Sequence, residues 1–78
     1  MTYAETIKEF VSLRMELGYD KYRIAIASDR YHDGFKNPNP YPSIVVYDKA
    51  SDELLYVGHT SQKTVETIIR EIRSLANG

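Results

Sequence analysis

Two short apolar runs joined by a polar turn constrain this chain more than any other feature. Ser43–Asp48 reads Ser-Ile-Val-Val-Tyr-Asp and Glu53–Val57 reads Glu-Leu-Leu-Tyr-Val, with Lys49–Asp52 between them. Runs this short, rich in β-branched and aromatic residues, form strands, and so brief a connection makes them an antiparallel hairpin. If the turn is symmetric, Tyr47 faces Leu54 and Val45 faces Tyr56. One face then carries Val45, Tyr47, Leu54 and Tyr56, and the other carries Ile44, Val46, Leu55 and Val57. The aliphatic face is expected to pack on helices and the tyrosine face to point away.

The rest of the chain supplies a third strand and two helices. Thr2 and Glu5 form a capping-box pattern, after which Tyr3, Ile7, Phe10, Val11, Leu13 and Leu17 recur at helical spacing up to Gly18. A helix is therefore predicted over 3–17. Tyr22, Ile24 and Ile26 alternate with Arg23, Ala25 and Ala27, the period of a strand. Gly58 stops the third strand, and Thr60 or Ser61 caps a last helix. Its stripe is Val65, Ile68, Ile69, Ile72, Leu75 and Ala76. The expected fold is α+β, in the order α-β-β-β-α: one domain over residues 1–78, a three-stranded antiparallel meander with both helices on one face.

In such a meander the first and third strands run the same way. The long segment from Asp29 to Pro42, stiffened by Pro38, Pro40 and Pro42, then lies at the same end of the sheet as the Gly58–Ser61 junction. The start of the first helix joins them. This end gathers Arg30, Tyr31, His32, Phe35, Lys36, Tyr41, His59, Ser61 and Lys63. With Tyr47 and Tyr56 of the outer sheet face, these residues form the candidate binding surface.

Composition narrows what that surface does. A chain of 78 residues with 42% hydrophobic content holds one small core, worth about 3–5 kcal/mol net, so a partner or a second copy matters to it. Ten basic against 11 acidic residues give a net charge of -1 and no general attraction to nucleic acid or anionic membrane. There is no cysteine, which excludes disulfides and Cys-ligated zinc and fits a cytoplasmic setting. The start, Met-Thr-Tyr-Ala-Glu, has no basic segment followed by an apolar one, so no signal peptide is expected. No apolar run approaches the roughly 20 residues of a membrane span.

Chemistry-bearing constellations are sparse. His32, Asp33 and His59 match no standard metal-ligand spacing. Ser61 and His59 sit in one short turn without a Gly-x-Ser-x-Gly elbow, and the scattered four glycines form no phosphate-cradling loop. No catalytic, metal or cofactor residues are assigned, and the chain is not expected to be an enzyme. Seven tyrosines suit half-wet contact surfaces. The leading expectation is a small interaction or regulatory module, homodimeric, binding a protein partner through the tyrosine-rich sheet face and the Tyr/Pro-rich loop. The alternative is structured-RNA binding through residues 30–42 and the start of the last helix. That requires Arg30, Lys36, Lys63 and the histidines to cluster clear of Asp29 and Asp33. A further alternative is a small inhibitor of a larger enzyme.

Two resemblances accompany this reading. The α-β-β-β-α order, with His32 in the loop after the first strand and Gly58, Ser61 and Lys63 around the start of the last helix, resembles the double-stranded-RNA-binding domain family. It implies that family's fold, and RNA contacts through helix one, the loop and the last helix. The family's lysine cluster is reduced here to Lys63, and the loop lacks its Gly-Pro-x-His pattern. Locally, Tyr56-Val57-Gly58-His59-Thr60-Ser61 looks like the second signature motif of the GIY-YIG nucleases. Ser43-Ile44-Val45 stands where that family's first motif belongs, and Glu66 near the place of its helical arginine, so the catalytic residues are not carried over.

Overall fold

The computed structural model describes residues 2–18, 20–27 and 41–78. The elements are α1 (Tyr3–Leu17), β1 (Tyr22–Ala27), β2 (Ser43–Asp48), β3 (Leu54–His59) and α2 (Val65–Asn77). The strands form one antiparallel sheet in the order β1-β2-β3, the meander expected from the sequence. No described helix is long and apolar enough to cross a membrane.

α1 begins as its capping box dictates. The Thr2 hydroxyl accepts from the Glu5 amide at 3.2 Å, while Glu5 Oε1 accepts from the Thr2 amide at 3.1 Å. Two otherwise orphaned helix-start donors are thereby satisfied. The helix ends at Gly18, whose amide donates to the Arg14 carbonyl at 2.7 Å. Thr6, Phe10 and Leu13 form its buried stripe. Thr6 tolerates burial because its hydroxyl bonds back to the Thr2 carbonyl at 3.0 Å.

α2 begins later than expected. Neither Thr60 nor Ser61 caps it. Both lie in a turn, and Thr64 is the N-cap, its hydroxyl accepting from the Thr67 amide at 3.2 Å. The turn uses backbone donors first: the amides of Gln62 and Lys63 both bond to the His59 carbonyl. α2 then buries Ile68 and Ile72, with Val65, Ile69 and Leu75 packed around them.

Phe10 and Leu13 of α1 meet Ile68 and Ile72 of α2 over Ile24, Ile44 and Val46 of the sheet. Both helices therefore cover one sheet face. Arg73 of α2 donates to Glu16 of α1 at 3.1 Å on the rim of this contact.

The hairpin departs from a symmetric register. Tyr47 faces Leu54 as expected, but Val46 faces Tyr56, Val45 faces Val57 and Ile44 faces Gly58. Leu55 has no partner of its own, so β3 carries a one-residue bulge beside Tyr47. One extra residue exchanges the faces of everything beyond it. Tyr56 thus lies on the helix-covered face and Val57 on the outer one, the reverse of the sequence expectation. β3 also runs through Gly58 to His59, so Gly58 does not stop the strand. It is buried there, and a Cβ at this position would lie 2.8 Å from Ile68 Cγ2. The missing side chain lets α2 approach β3 closely.

The turn itself is built by Asp48 and Asp52. The Asp48 carboxylate accepts from the amides of Ala50 at 2.9 Å and Ser51 at 3.1 Å. Those bonds, with Ser51 the larger, hold its carboxyl below the usual range. Asp52 adopts φ 62, a left-handed conformation that short polar side chains tolerate.

Candidate interaction surfaces

The expected convergence at one end of the sheet is present among the described residues. The Thr60 amide and hydroxyl both bond to the Pro42 carbonyl, at 3.3 and 2.8 Å, tying the start of β2 to the end of β3. Pro42 itself is fully buried. Around this tie, Tyr3 and Thr6 of α1, Tyr41, Thr60 and Lys63–Glu66 enclose an open cavity of about 410 Å³. Tyr41 and Lys63 are the candidate residues that line it. Arg30, Tyr31, His32, Phe35 and Lys36 lie outside the described residues, as do Asp29 and Asp33.

Lys63 is engaged at the side of this cavity. Its ammonium donates to Glu71 Oε1 at 2.8 Å and stands 5.5 Å from the centre of the Tyr56 ring. The Tyr56 hydroxyl donates to the same Glu71 oxygen at 2.7 Å. Hydrogen bonds from Lys63 and then Tyr56 pull the Glu71 carboxyl below the usual range. Burial and then the Glu71 carboxylate push the Tyr56 phenol well above its ordinary value. Tyr56 is therefore a strut from β3 to α2, and it is withdrawn from the outer-face binding surface expected of it. With Glu66 at the cavity wall and Glu71 on Lys63, the described part of this end carries both signs of charge.

The outer face is assembled from alternate residues of all three strands. Register places Arg23, Ala25 and Ala27 beside Tyr47, Val45 and Ser43, and these beside Leu54, Val57 and His59. No described element covers this face. Leu54 is 54% exposed and Val57 37% exposed. At one end the Arg23 guanidinium lies 4.0 Å from the centre of the Tyr47 ring and bonds Asp52 at 2.6 Å. The stacking flattens Tyr47 against the sheet and leaves an apolar middle of Ala25, Val45 and Val57.

At the other end Ser43 Oγ and His59 Nδ1 lie 2.8 Å apart. The sequence paired His59 with Ser61; the structure pairs it with Ser43, a direct cross-strand neighbour. Non-hydrogen-bonded antiparallel pairs bring side chains close, which accounts for the contact without a catalytic role. Among the described residues no carboxylate bonds the imidazole, and no group of three metal-ligating side chains exists.

Val45, Val57 and Ser43 are outer-face residues that sequence reasoning did not select. Counting alternation backwards from Gly58, with the glycine placed under a helix, would have found them. Counting from the turn crosses the bulge. Comparison with protein-family models, with curated proteins and with solved structures finds no match. The likeness to double-stranded-RNA-binding domains is thus one of layout, α-β-β-β-α with three antiparallel strands.

Proposed function

We propose that this domain is a non-enzymatic interaction module that binds a protein partner through the outer face of its sheet. The observation that carries this reading is the continuous strip Ala25, Val45, Tyr47, Leu54 and Val57, which no described element covers. Small and aromatic side chains rimmed by Arg23, Asp52 and His59 match the apolar centre and polar rim of protein contacts. A face of this size presents roughly 300 Å² from strand spacing and rise. A standard interface buries about 800 Å² per partner. The face therefore suits a transient regulatory partner, or one whose contact extends past the sheet. Inhibition of a larger enzyme is one form such binding takes.

Structured-RNA binding at the cavity end has less support, because Lys63 is committed to Glu71 and Glu66 stands beside it. Site-specific photocrosslinking separates the two readings. A photoreactive residue at Val45 should yield a discrete protein adduct in host extract, and one at Arg70 on the exposed side of α2 should not. Equal labelling from both positions removes the proposal. An RNA adduct from a probe at Tyr41, with none at Val45, favours the rival.

A further inference from the structure

α1 is apolar along two faces, and the fold uses one of them. At about 100° per residue, Thr6, Phe10 and Leu13 make the stripe that enters the core. Ala4, Ile7, Val11 and Met15 make a second ridge, roughly 140° around the helix from the first. Ile7 and Val11 are half-buried, Ala4 is exposed and Met15 is 61% exposed. Among the described residues, none of the four belongs to the core or packs against it. A surface helix needs a single apolar stripe, so a second one marks a second contact. Charge is sorted around the same helix. Lys8 and Arg14 border the ridge, one on each flank, at roughly 60° from its centre. Both are exposed, and neither side chain bonds a described residue. Glu5, Glu9 and Glu16, the acids of α1, gather on the remaining face. Glu5 is committed to the Thr2 amide and Glu16 to Arg73.

We infer that this ridge docks an amphipathic helix of another protein, apolar along one stripe and acidic on both of its flanks. Ile7, Val11 and Met15 stand four residues apart, a row of the kind that seats in the groove of a facing helix. From Ala4 to Met15 the ridge runs about 16 Å, three turns of helix. Charge names the occupant, because acidic flanks meet Lys8 on one side and Arg14 on the other. A second copy of this chain fails on the same ground. Parallel pairing on the ridge sets Lys8 beside Arg14 of the other copy, and antiparallel pairing sets each base beside its own equivalent. Bases meet bases either way.

The probe is a synthetic helical peptide with a leucine stripe flanked by glutamates, beside a counterpart with lysine in place of every glutamate. Titrated into the isotope-labelled full chain and followed by NMR, the glutamate peptide should shift the amides from Ala4 to Met15. Those of Ala25, Val45 and Val57 should stay in place. Lys8→Glu combined with Arg14→Gln should weaken binding roughly tenfold at low salt and turn the preference to the lysine peptide. Glutamine at position 14 spares the helix end a negative charge, so the fold is kept. No shift at about 1 mM glutamate peptide overturns the inference, and so does equal binding of the two peptides by the unmodified chain. Shifts of the same amides by phosphatidylserine vesicles, with none from the peptide, overturn the protein occupant in favour of a membrane. Val45→Asp separates this ridge from the sheet face. Peptide binding should persist in that variant, and its loss would place the helix on the outer face and overturn the inference.

Discussion

Gly58 on β3 lies directly beneath Ile68 on α2, so close that a Cβ at position 58 would stand 2.8 Å from Ile68 Cγ2 and 3.0 Å from the Tyr56 ring. Ile68 is fully buried and its branched carbon sits on a stiff helical rotamer, so it cannot swing aside. Gly58→Ala is expected to cost about 1–3 kcal/mol by overpacking. Urea unfolding should show a lower midpoint, partly restored when Ile68→Ala is added. Additive losses in the double variant would refute the contact.

Phe10 is 0% exposed at the centre of the single described core. Phe10→Ala should remove about 3–5 kcal/mol. A domain of this size holds about that much in total. Far-UV circular dichroism at room temperature should therefore report a largely unfolded chain. A cooperative melt close to that of the unmodified protein would show that the core lies elsewhere.

Tyr56→Phe tests the strut between sheet and helix. The ring stays packed and only the hydroxyl bond to Glu71 is lost, so the expected loss is about 1 kcal/mol. Alkaline unfolding should also move. The folded phenol titrates above the ordinary value of 10.0, so this stability is present below that pH and is lost as pH rises through the folded value. The phenylalanine variant should lack that alkaline component in a melting series.

Acid should destabilise the domain through Glu71, Asp48 and Glu5, whose carboxyls are all held below their ordinary values. In each case the unfolded chain binds protons first. The stability is therefore present above the unfolded values of 4.5, 3.8 and 4.5 and is lost as pH falls through the lower folded ones. Glu71→Gln should flatten the melting temperature against pH below about 4.5, and an acid limb identical to that of the parent would exclude Glu71 as its source.

The Arg23–Asp52 pair is short, but both side chains are at least half exposed, at 50% and 70%. Such pairs contribute little. Asp52→Asn keeps a residue that tolerates positive φ and should barely change the melting temperature. Asp52→Val places a β-branched side chain at φ 62 and should lower it clearly. Equal effects of the two changes would mean that the charge, and not the backbone, governs the turn.

Much of this fold was legible because local rules agreed with one another. The capping box, the Gly18 stop and the 3.6 period at Phe10 and Leu13 all describe the same α1. What escaped was the bulge at Leu55. No residue in Leu-Leu-Tyr-Val announces an unpaired position, and a single inserted residue reverses every face beyond it. Alternation counted from the turn therefore puts Tyr56 on the outer surface and Val57 in the core, the reverse of their places in the sheet. The start of α2 slipped for a related reason: Thr60, Ser61 and Thr64 are all competent caps. The choice among them falls to the turn, where the Gln62 and Lys63 amides are already spent on His59. The cavity end was foreseen from strand direction alone, since parity of strand direction survives a bulge.

Strand order in the sheet is the same as strand order in the chain. Each pairing thus closes a loop between sequence neighbours, and the hairpin from Ser43 to His59 is able to form early on the microsecond scale of isolated hairpins. Docking of the two helices is the step that spans the chain, as the bond between Arg73 and Glu16 illustrates. A refolding trace should therefore be limited by the arrival of α2 over Gly58, with the meander already formed to receive it.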